Sequence, residues 1–312
     1  MPKTAILFTG QGAQSVGMGK DVAEACPAAA DIFERANLVV GYDLRSVCFQ
    51  GPPEKLEQTD IQQPAIFTTS VAIWRAVNER VDVEEPPAAM AGLSLGEYTA
   101  LYAAGSVSFE DGLTLVKRRG ELMQAAADAI PGGMVTALGL DVEKIQEVVR
   151  EASAEGVFVA ANYNCPGQVV LSGSKKACES AVPLIERAGG RAVPLKVAGG
   201  FHSPLMQPAA DGLAEVLAQT RFGTPSVPVI ANVHARPHGQ PDDIRQCLAD
   251  QLTHTVCWQA SMEALIAEGV ERFIEIGPGR ILTGLLKKIA RGVPIVNVST
   301  ADSLRALSAS MG

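Results

Sequence analysis

The sequence has no long apolar run and no dense cluster of basic residues, and these two absences exclude two kinds of partner. No apolar stretch approaches the roughly 20 residues that a membrane-spanning helix needs. The 26 Lys and Arg residues are outnumbered by 34 Asp and Glu residues, which gives a net charge of -8. No basic tract of the kind that neutralises nucleic-acid phosphates is present. We therefore expect neither a membrane nor a nucleic acid as partner.

Cysteine is scarce and scattered. The chain has six cysteines: Cys26, Cys48, Cys165, Cys178, Cys247 and Cys257. None forms a Cys-x-x-Cys pair or a grouping with histidine at the spacing of metal ligands. The first residues lack both the apolar core of a signal peptide and the Arg-rich pattern of a transit peptide. We expect free thiols, no bound metal and a cytoplasmic protein.

Apolar residues, in contrast, are plentiful: 47% of the 312 residues are hydrophobic and 19% are charged, enough for a large core. Short apolar runs bounded by Gly or Pro alternate with segments of helical periodicity. This alternation is typical of an α/β protein with a mainly parallel sheet. It predicts a helix over 64–80 with Pro64 as its first residue. It also predicts strands at 5–8, 88–91, 227–231, 272–276 and 293–298.

The segment from 131 to 196 has a different order. Its periodicity predicts strands at 134–138, 157–162, 168–172 and 191–197, with helices at 142–153 and 175–188. A β-α-β-β-α-β order is that of a ferredoxin-like unit. Glycine pairs at 132–133 and 199–200 bracket it. We therefore predict a main domain formed by 1–130 and 199–312, and a small domain, 131–198, inserted into it.

The string GLSLG at 92–96 is the only G-x-S-x-G in the chain. A predicted strand precedes it, and a helical stretch over 97–104 that ends at Gly105 follows it. This is the strand-turn-helix context of a nucleophile elbow. Gly92 and Gly96 suit the close approach of strand and helix, and a strained backbone at Ser94. Ser94 is thus a candidate nucleophile, and the alternative is a serine that only caps the helix.

A nucleophilic serine needs a base, and the chain offers four histidines: His202, His234, His238 and His254. Spacing alone does not choose among them, because members of a triad come from distant positions. His202 lies where the chain returns to the main domain, which suggests a cleft between the domains. A structural role for His202 stays open at this stage.

Arg119 lies in the middle of an apolar helical face. Lys117 and Arg118 point away from it, and the apolar residues within 109–126 that share it are Leu115, Val116, Leu122, Met123 and Ala126. A buried guanidinium needs a partner. The partner is either an internal Asp or Glu or the carboxylate of a ligand.

Seven motifs, in order over nearly the whole chain, resemble those of the malonyl-CoA:acyl carrier protein transacylase family. They are FTGQGAQ at 8–14, GLSLGEY at 92–98, RRG at 118–120, NYNCPGQ at 162–168, FHSPLM at 201–206, QL at 251–252 and EIGPG at 275–279. The resemblance implies an α/β-hydrolase-like core with a ferredoxin-like insertion. Two positions depart from the usual pattern: Leu93 stands where many members have histidine, and Thr9 where proline is common. Neither removes a group that the family's mechanism needs.

The resemblance also implies roles for individual residues. Ser94 would be the nucleophile, His202 the base and Arg119 the ligand of the malonyl carboxylate. The backbone N–H groups of Gln11 and Leu95 would form the oxyanion hole.

Three further residues receive implied roles near the substrate. The backbone carbonyl of Gln251 would orient His202, so that no catalytic aspartate is required. Phe201 resembles the malonyl-selective members, whereas members that accept methylmalonyl have a smaller residue there. Asn162 would be a further substrate-binding residue.

The implied reaction is ping-pong transfer of malonyl from malonyl-CoA to the phosphopantetheine thiol of holo acyl carrier protein, without a cofactor or metal of the enzyme's own. Three alternatives remain: a serine hydrolase or thioesterase, a transacylase that loads a polyketide synthase, and a non-catalytic module that binds a carrier protein. Because carrier proteins of this family are usually acidic, a local basic patch is expected to attract them. The alternative for these candidates is that they are solvated surface charges. The candidates form two clusters: Arg187, Arg191 and Lys196, and Lys287, Lys288 and Arg291.

Overall fold

The computed structural model describes residues 2–80 and 86–311. Within these residues the chain forms nine strands and fourteen α-helices. The strands are β1 (Thr4–Phe8), β2 (Ala89–Gly92), β3 (Gly132–Leu138), β4 (Phe158–Cys165), β5 (Gln168–Ser174), β6 (Arg191–Pro194), β7 (Val229–Ile230), β8 (Arg272–Ile276) and β9 (Ile295–Val298).

The helices before the small sheet are α1 (Lys20–Ala25), α2 (Pro27–Val40), α3 (Leu44–Gln50), α4 (Pro53–Leu56), α5 (Thr59–Arg80), α6 (Gly96–Ala103) and α7 (Phe109–Ala129). Those within and after it are α8 (Val142–Ala152), α9 (Lys175–Arg187), α10 (Gln207–Gln219), α11 (Pro241–Asp250), α12 (Trp258–Ala267), α13 (Ile281–Ile289) and α14 (Ala301–Met311). In the described part of the chain, no helix is both long and apolar enough to cross a bilayer.

The central sheet has five parallel strands in the order β7-β2-β1-β8-β9. Strands β1, β2, β7 and β8 are almost wholly buried, as in helix-covered parallel sheets, and the edge strand β9 is partly buried. In β1, Ile6 and Phe8 join one hydrophobic cluster, whereas Ala5 and Leu7 join another on the opposite face. Alternation of side chains along a strand produces this division. The parallel sheet between two apolar layers confirms the predicted α/β class.

The small sheet has four antiparallel strands in the order β4-β5-β3-β6. Helices α8 and α9 cover one face of it, and α8 buries Ile145, Val148 and Ala152 at helical spacing. Asp141 caps α8 by accepting a hydrogen bond from the Lys144 N–H at 2.9 Å. The elements follow the β-α-β-β-α-β order predicted from periodicity. The domain boundaries at 131 and 198 stay a prediction.

One prediction about a helix start is wrong. Helix α5 begins at Thr59, so Pro64 lies inside the helix instead of at its first position. Proline removes one backbone hydrogen bond and disfavours a helix interior. Here almost every residue from Thr59 to Val77 is buried, and this packing outweighs the local preference.

Three strands of the structure are shorter than predicted. Strand β7 covers only two residues, β9 begins at Ile295, and β6 ends at Pro194. Pro228 precedes β7 and Pro294 precedes β9. Because proline has no N–H to donate to a neighbouring strand, it limits regular pairing at these positions.

Candidate active site

The turn between β2 and α6 presents Ser94 at the carboxyl edge of the central sheet. Ser94 has a φ of 51°, in the left-handed region that non-glycine residues rarely adopt. The turn is tight: a Cβ on Gly92 would lie 1.9 Å from the carbonyl carbon of Gly96, and one on Gly96 would lie 2.2 Å from the Phe8 oxygen. Glycine at both positions is therefore a steric requirement of the elbow, as predicted.

The structure brings Ser94 and His202 together. Ser94 Oγ lies 2.9 Å from His202 Nε2, and His202 Nδ1 lies 2.7 Å from the backbone oxygen of Gln251. Because a carbonyl only accepts, Nδ1 carries the proton and Nε2 is left to accept one from serine. Burial and the charge of Arg119 lower the pKa of His202 to about 4. The imidazole is therefore neutral near pH 7, the state that a general base requires.

The other three histidines have different surroundings. His238 lies against Glu97, with 2.8 Å between Nε2 and Oε1. His254 is exposed, and its Nδ1 lies 2.8 Å from the Asp250 carbonyl oxygen. His234 lies near Cys247 and Asp243. Only His202 contacts Ser94 among them in the described residues.

The group formed by His234, Asp243 and Cys247 has donor atoms within 4.8 Å of one another. The Arg236 N–H donates to His234 Nδ1 at 3.2 Å, so a neutral ring carries its proton on Nε2, which faces Cys247 Sγ at 3.5 Å. Burial raises the pKa of the Cys247 thiol to about 12. Cys247 Sγ also lies 3.8 Å from Asp243 Oδ1. These contacts link the three side chains in a chain of hydrogen bonds.

Leu95 and Gln11 are the predicted donors of the oxyanion hole, and Gln11 lines the same cavity as Ser94. Leu95 follows Ser94 directly at the start of α6, and Gln11 lies on the loop after β1. Within the described residues neither N–H donates to a protein acceptor. The Gln11 side chain is fixed by its Nε2, which donates to Gln62 Oε1 at 2.5 Å. Unpaired N–H groups at a helix start are suited to stabilising a developing oxyanion.

Arg119 is fully buried and points from α7 at the nucleophile. One terminal nitrogen donates to Ser94 Oγ at 3.0 Å and to Gln251 Oε1 at 2.8 Å, and the other donates to Gln63 Oε1 at 2.7 Å. Among the described residues no Asp or Glu forms an ion pair with it, which removes the internal partner considered above. Burial lowers the pKa of Arg119, and nearby Tyr98 and Glu97 oppose that shift. A guanidinium whose acceptors are mostly neutral amides is available to a ligand carboxylate.

A buried polar network behind the elbow was not predicted. Asn232 Oδ1 accepts from the Ser94 N–H at 2.6 Å, and Asn232 Nδ2 donates to the Gly92 carbonyl at 2.8 Å. Glu97 Oε2 accepts from the Asn232 N–H at 3.0 Å and from Gln251 Nε2 at 2.7 Å. Glu97 belongs to the GLSLGEY motif, which was the one signal in the sequence that pointed to it.

A cavity of about 410 Å³ opens above Ser94 and His202, a size suited to a small acyl group and part of its carrier. Phe201 and Asn162, both predicted near the substrate, line it. Asn162 lies on β4, and the Val256 N–H, just before α12, donates to the Ala161 oxygen of the same strand at 2.8 Å. This contact fixes the small sheet as one wall of the cavity.

Comparisons with known proteins first define the class of the chain. The family model described as the acyl transferase domain matches residues 6–304. The malonyl CoA-acyl carrier protein transacylase of Bacillus subtilis (strain 168) is 44% identical over 306 residues, which cover 97% of this chain and 96% of the relative. The chain is thus an acyltransferase.

Solved structures agree with this assignment. The malonyl CoA-acyl carrier protein transacylase of Clostridium perfringens is 39% identical with a TM-score of 0.94, covering 99% of this chain and 97% of that one. A malonyl-transacylase solved with a type II polyketide synthase acyl-carrier protein is 41% identical with a TM-score of 0.94, covering 99% of each chain. The chain belongs to the malonyl CoA-acyl carrier protein transacylase family, which confirms the resemblance stated from its motifs.

Proposed function

We propose that this protein transfers a malonyl group from malonyl-CoA to the phosphopantetheine thiol of acyl carrier protein through a malonyl-serine intermediate on Ser94. Family membership supports the overall reaction. One observation carries the choice of a carboxylated acyl group: the buried guanidinium of Arg119 lies 3.0 Å from Ser94 Oγ without an acidic partner among the described residues.

In the first half-reaction Ser94 Oγ attacks the thioester carbonyl carbon while its proton passes to His202 Nε2. The tetrahedral oxyanion would be stabilised by the N–H groups of Gln11 and Leu95. The C–S bond then breaks, and the imidazolium returns its proton to the sulfur of coenzyme A. The Gln251 carbonyl accepts from Nδ1 throughout and holds the ring in one orientation.

In the second half-reaction the roles run in the opposite direction. The thiol of the carrier protein gives its proton to His202 Nε2, and its sulfur attacks the malonyl-serine ester. Collapse of the second tetrahedral intermediate breaks the bond to Ser94 Oγ, which recovers its proton from the imidazolium. No cofactor of the enzyme enters either half, because the prosthetic group belongs to the substrates.

The carboxylate of the malonyl group would accept from the Arg119 nitrogen that now donates to Ser94 Oγ, while the Gln251 amide keeps its contact with Arg119. A guanidinium holds a carboxylate through two parallel charge-assisted hydrogen bonds, and burial excludes the water that would weaken them. Phe201, 5% exposed and beside the base, would limit the space available to a substituted malonyl group. We therefore propose malonyl over methylmalonyl as substrate.

Fatty acid biosynthesis in the cytoplasm is the setting we propose. A polyketide synthase as recipient is the alternative, and the similarity to a malonyl-transacylase solved with a polyketide carrier protein supports it equally. A serine hydrolase would share Ser94 and His202 but would have no use for a cation beside the acyl group.

Intact mass spectrometry after incubation with malonyl-, methylmalonyl- or acetyl-CoA tests the proposal. We expect a malonyl adduct, located on Ser94 by peptide mapping, that persists without thiol and disappears when holo acyl carrier protein is added. Release of malonate to water at the same rate with and without carrier protein would identify a hydrolase. Absence of any adduct would favour a non-catalytic binding module.

A further inference from the structure

Glu97 is a fully buried carboxylate that the proposed mechanism does not use. Its Oε1 lies 2.8 Å from His238 Nε2, and its Oε2 accepts from the Asn232 N–H and from Gln251 Nε2. In the described part of the chain no Lys or Arg forms an ion pair with it. A buried charge is costly unless its hydrogen bonds serve a specific arrangement, so its position behind the nucleophile requires an explanation.

The side-chain amide of Gln251 connects this carboxylate to Arg119. Gln251 Nε2 faces three acceptors: Glu97 Oε2 at 2.7 Å, the Ser94 carbonyl at 3.1 Å and, more distantly, Asn232 Oδ1 at 3.5 Å. Gln251 Oε1 faces the Arg119 guanidinium at 2.8 Å. Rotating the amide by half a turn would place its NH2 against a cation and its oxygen against a carboxylate. Glu97 therefore fixes which end of the amide meets Arg119.

The second amide that contacts Arg119 is held less firmly. Gln63 Oε1 accepts from Arg119 at 2.7 Å, but the one acceptor for Gln63 Nε2 within the described residues is the Met123 sulfur, at 3.3 Å. A thioether is a weak acceptor and gives the amide little orientation. Of the two amides, only that of Gln251 is anchored to a charge. The orientation of the Arg119 guanidinium thus depends on the contact between Glu97 and Gln251.

We propose that Glu97 is a positioning residue that acts through the Gln251 amide to aim Arg119 at the acyl group, and so sets the preference for acyl groups that carry a carboxylate. The proposal rests on the proposed function of the site. It differs from a general structural role, in which Glu97 would only hold the elbow. A structural role predicts equal losses for all acyl groups, whereas a role in aiming Arg119 predicts a loss concentrated on malonyl.

The test compares acylation of the full-length protein by malonyl-CoA and by acetyl-CoA in wild type and Glu97→Gln. The substitution keeps the size of the side chain and removes its charge. A hydrogen bond to a charged group contributes enough that malonyl kcat/KM should fall about tenfold to a hundredfold. Acetyl kcat/KM should fall much less, because acetyl has no carboxylate for Arg119 to bind. The ratio of the two constants cancels the fraction of folded enzyme, so partial misfolding does not obscure the result.

His238→Gln is the matched control, because His238 contacts the other oxygen of Glu97 and does not touch Gln251. We expect its malonyl-to-acetyl ratio to stay near that of wild type. If Glu97→Gln does not fold, Glu97→Asp keeps the charge but withdraws it from Gln251, and should lower the ratio in the same direction by a smaller factor. Equal losses for both acyl groups in the Glu97 variants would overturn the proposal. A wild type that forms no malonyl-Ser94 would instead overturn the proposed function.

Discussion

The two sheets of this protein contribute in different ways to one cavity. Ser94 follows β2 and Gln11 follows β1, so the reacting groups gather at the carboxyl edge of the parallel sheet, where ligands bind in such folds. The small antiparallel sheet contributes a wall of uncharged side chains from its strands, among them Met134, Thr136 and Val170. The parallel region thus supplies chemistry, and the antiparallel region supplies shape.

Strand periodicity explains how the small sheet does this. In β3, Met134 and Thr136 face the cavity, while Val135 and Ala137 pack beneath α8 and α9. An antiparallel sheet covered on one face leaves the alternate residues free to meet a substrate. Substitutions in the two regions test this contrast. Their expected effects range from complete loss of acylation to modest changes in carrier-protein affinity.

Ser94→Ala should have the largest effect, because the oxygen that forms the acyl bond is removed. We expect no malonyl adduct in intact mass spectra at any incubation time. Ser106→Ala is the control: it removes a buried serine that donates to the Gly223 carbonyl outside the cavity, and should still acylate. A normal adduct on Ser94→Ala would mean that another residue carries the acyl group.

Arg119→Ala should reduce malonyl kcat/KM by about 30-fold to several-thousand-fold, since truncating one partner of a buried charge pair costs roughly 2 to 5 kcal/mol. Acetyl-CoA should lose far less. Arg119→Lys keeps the charge without the planar fork, and should lie between wild type and Arg119→Ala. Stopped-flow acylation with both substrates measures this. Equal slowing of both, in a protein with unchanged circular dichroism, would make Arg119 a structural residue.

The pH dependence of acetyl-CoA acylation should reveal the state of His202. Protonation inactivates the base, so the wild-type rate should fall as pH drops through about 4. The charge of Arg119 opposes protonation of the ring, and removing it should raise the pKa of His202. The acidic limb of Arg119→Ala should therefore lie at higher pH than that of wild type. Coincident limbs, with both proteins folded by circular dichroism over the range, would assign the limb to another group.

The smallest effect is expected on the surface of the small-sheet region. Arg187 is largely exposed and only loosely paired, with 3.9 Å to Glu151. Reversing the charge of Arg187 and Arg191 together should raise the KM for carrier protein about two- to fivefold, because exposed charges contribute little each. The KM for malonyl-CoA should not change. In the cluster of Lys287, Lys288 and Arg291, Lys288 donates to Gln168 at 2.9 Å, and Gln168 lines the cavity. Reversing the charge of Lys288 would therefore also disturb the cavity rim, which makes it a poorer probe of docking. Equal shifts in both KM values would argue against docking at Arg187 and Arg191.

Local pattern predicted much of this architecture. Alternating apolar runs gave the α/β class, and the order of elements over 131–196 gave the small sheet, because both depend on periodicity that a chain carries locally. Ser94 was identifiable because its elbow needs glycine at fixed spacing. Pro64 was misplaced because burial of α5 overrides a local rule.

Other parts of the site are invisible to local pattern. His202, Gln251 and Gln11 come from loops and helix ends far apart in the chain, and only the family resemblance joined them. Glu97 and Asn232 were missed as network members, because a polar residue in sequence gives no sign of whether it faces solvent or a buried partner. Their roles depend on tertiary contacts that separate elements make across the carboxyl edge of the sheet.

The left-handed backbone of the two reacting residues has a consequence for thermal stability. Ser94 has a φ of 51° and His202 a φ of 55°, and a residue with a side chain is held there at a cost of about 1 to 2 kcal/mol that glycine avoids. Glycine at position 94 would relieve that strain and, in the same substitution, abolish the reaction. Selection for heat resistance alone would therefore favour inactive variants, so screens for stabilised forms of this protein must retain an acylation assay.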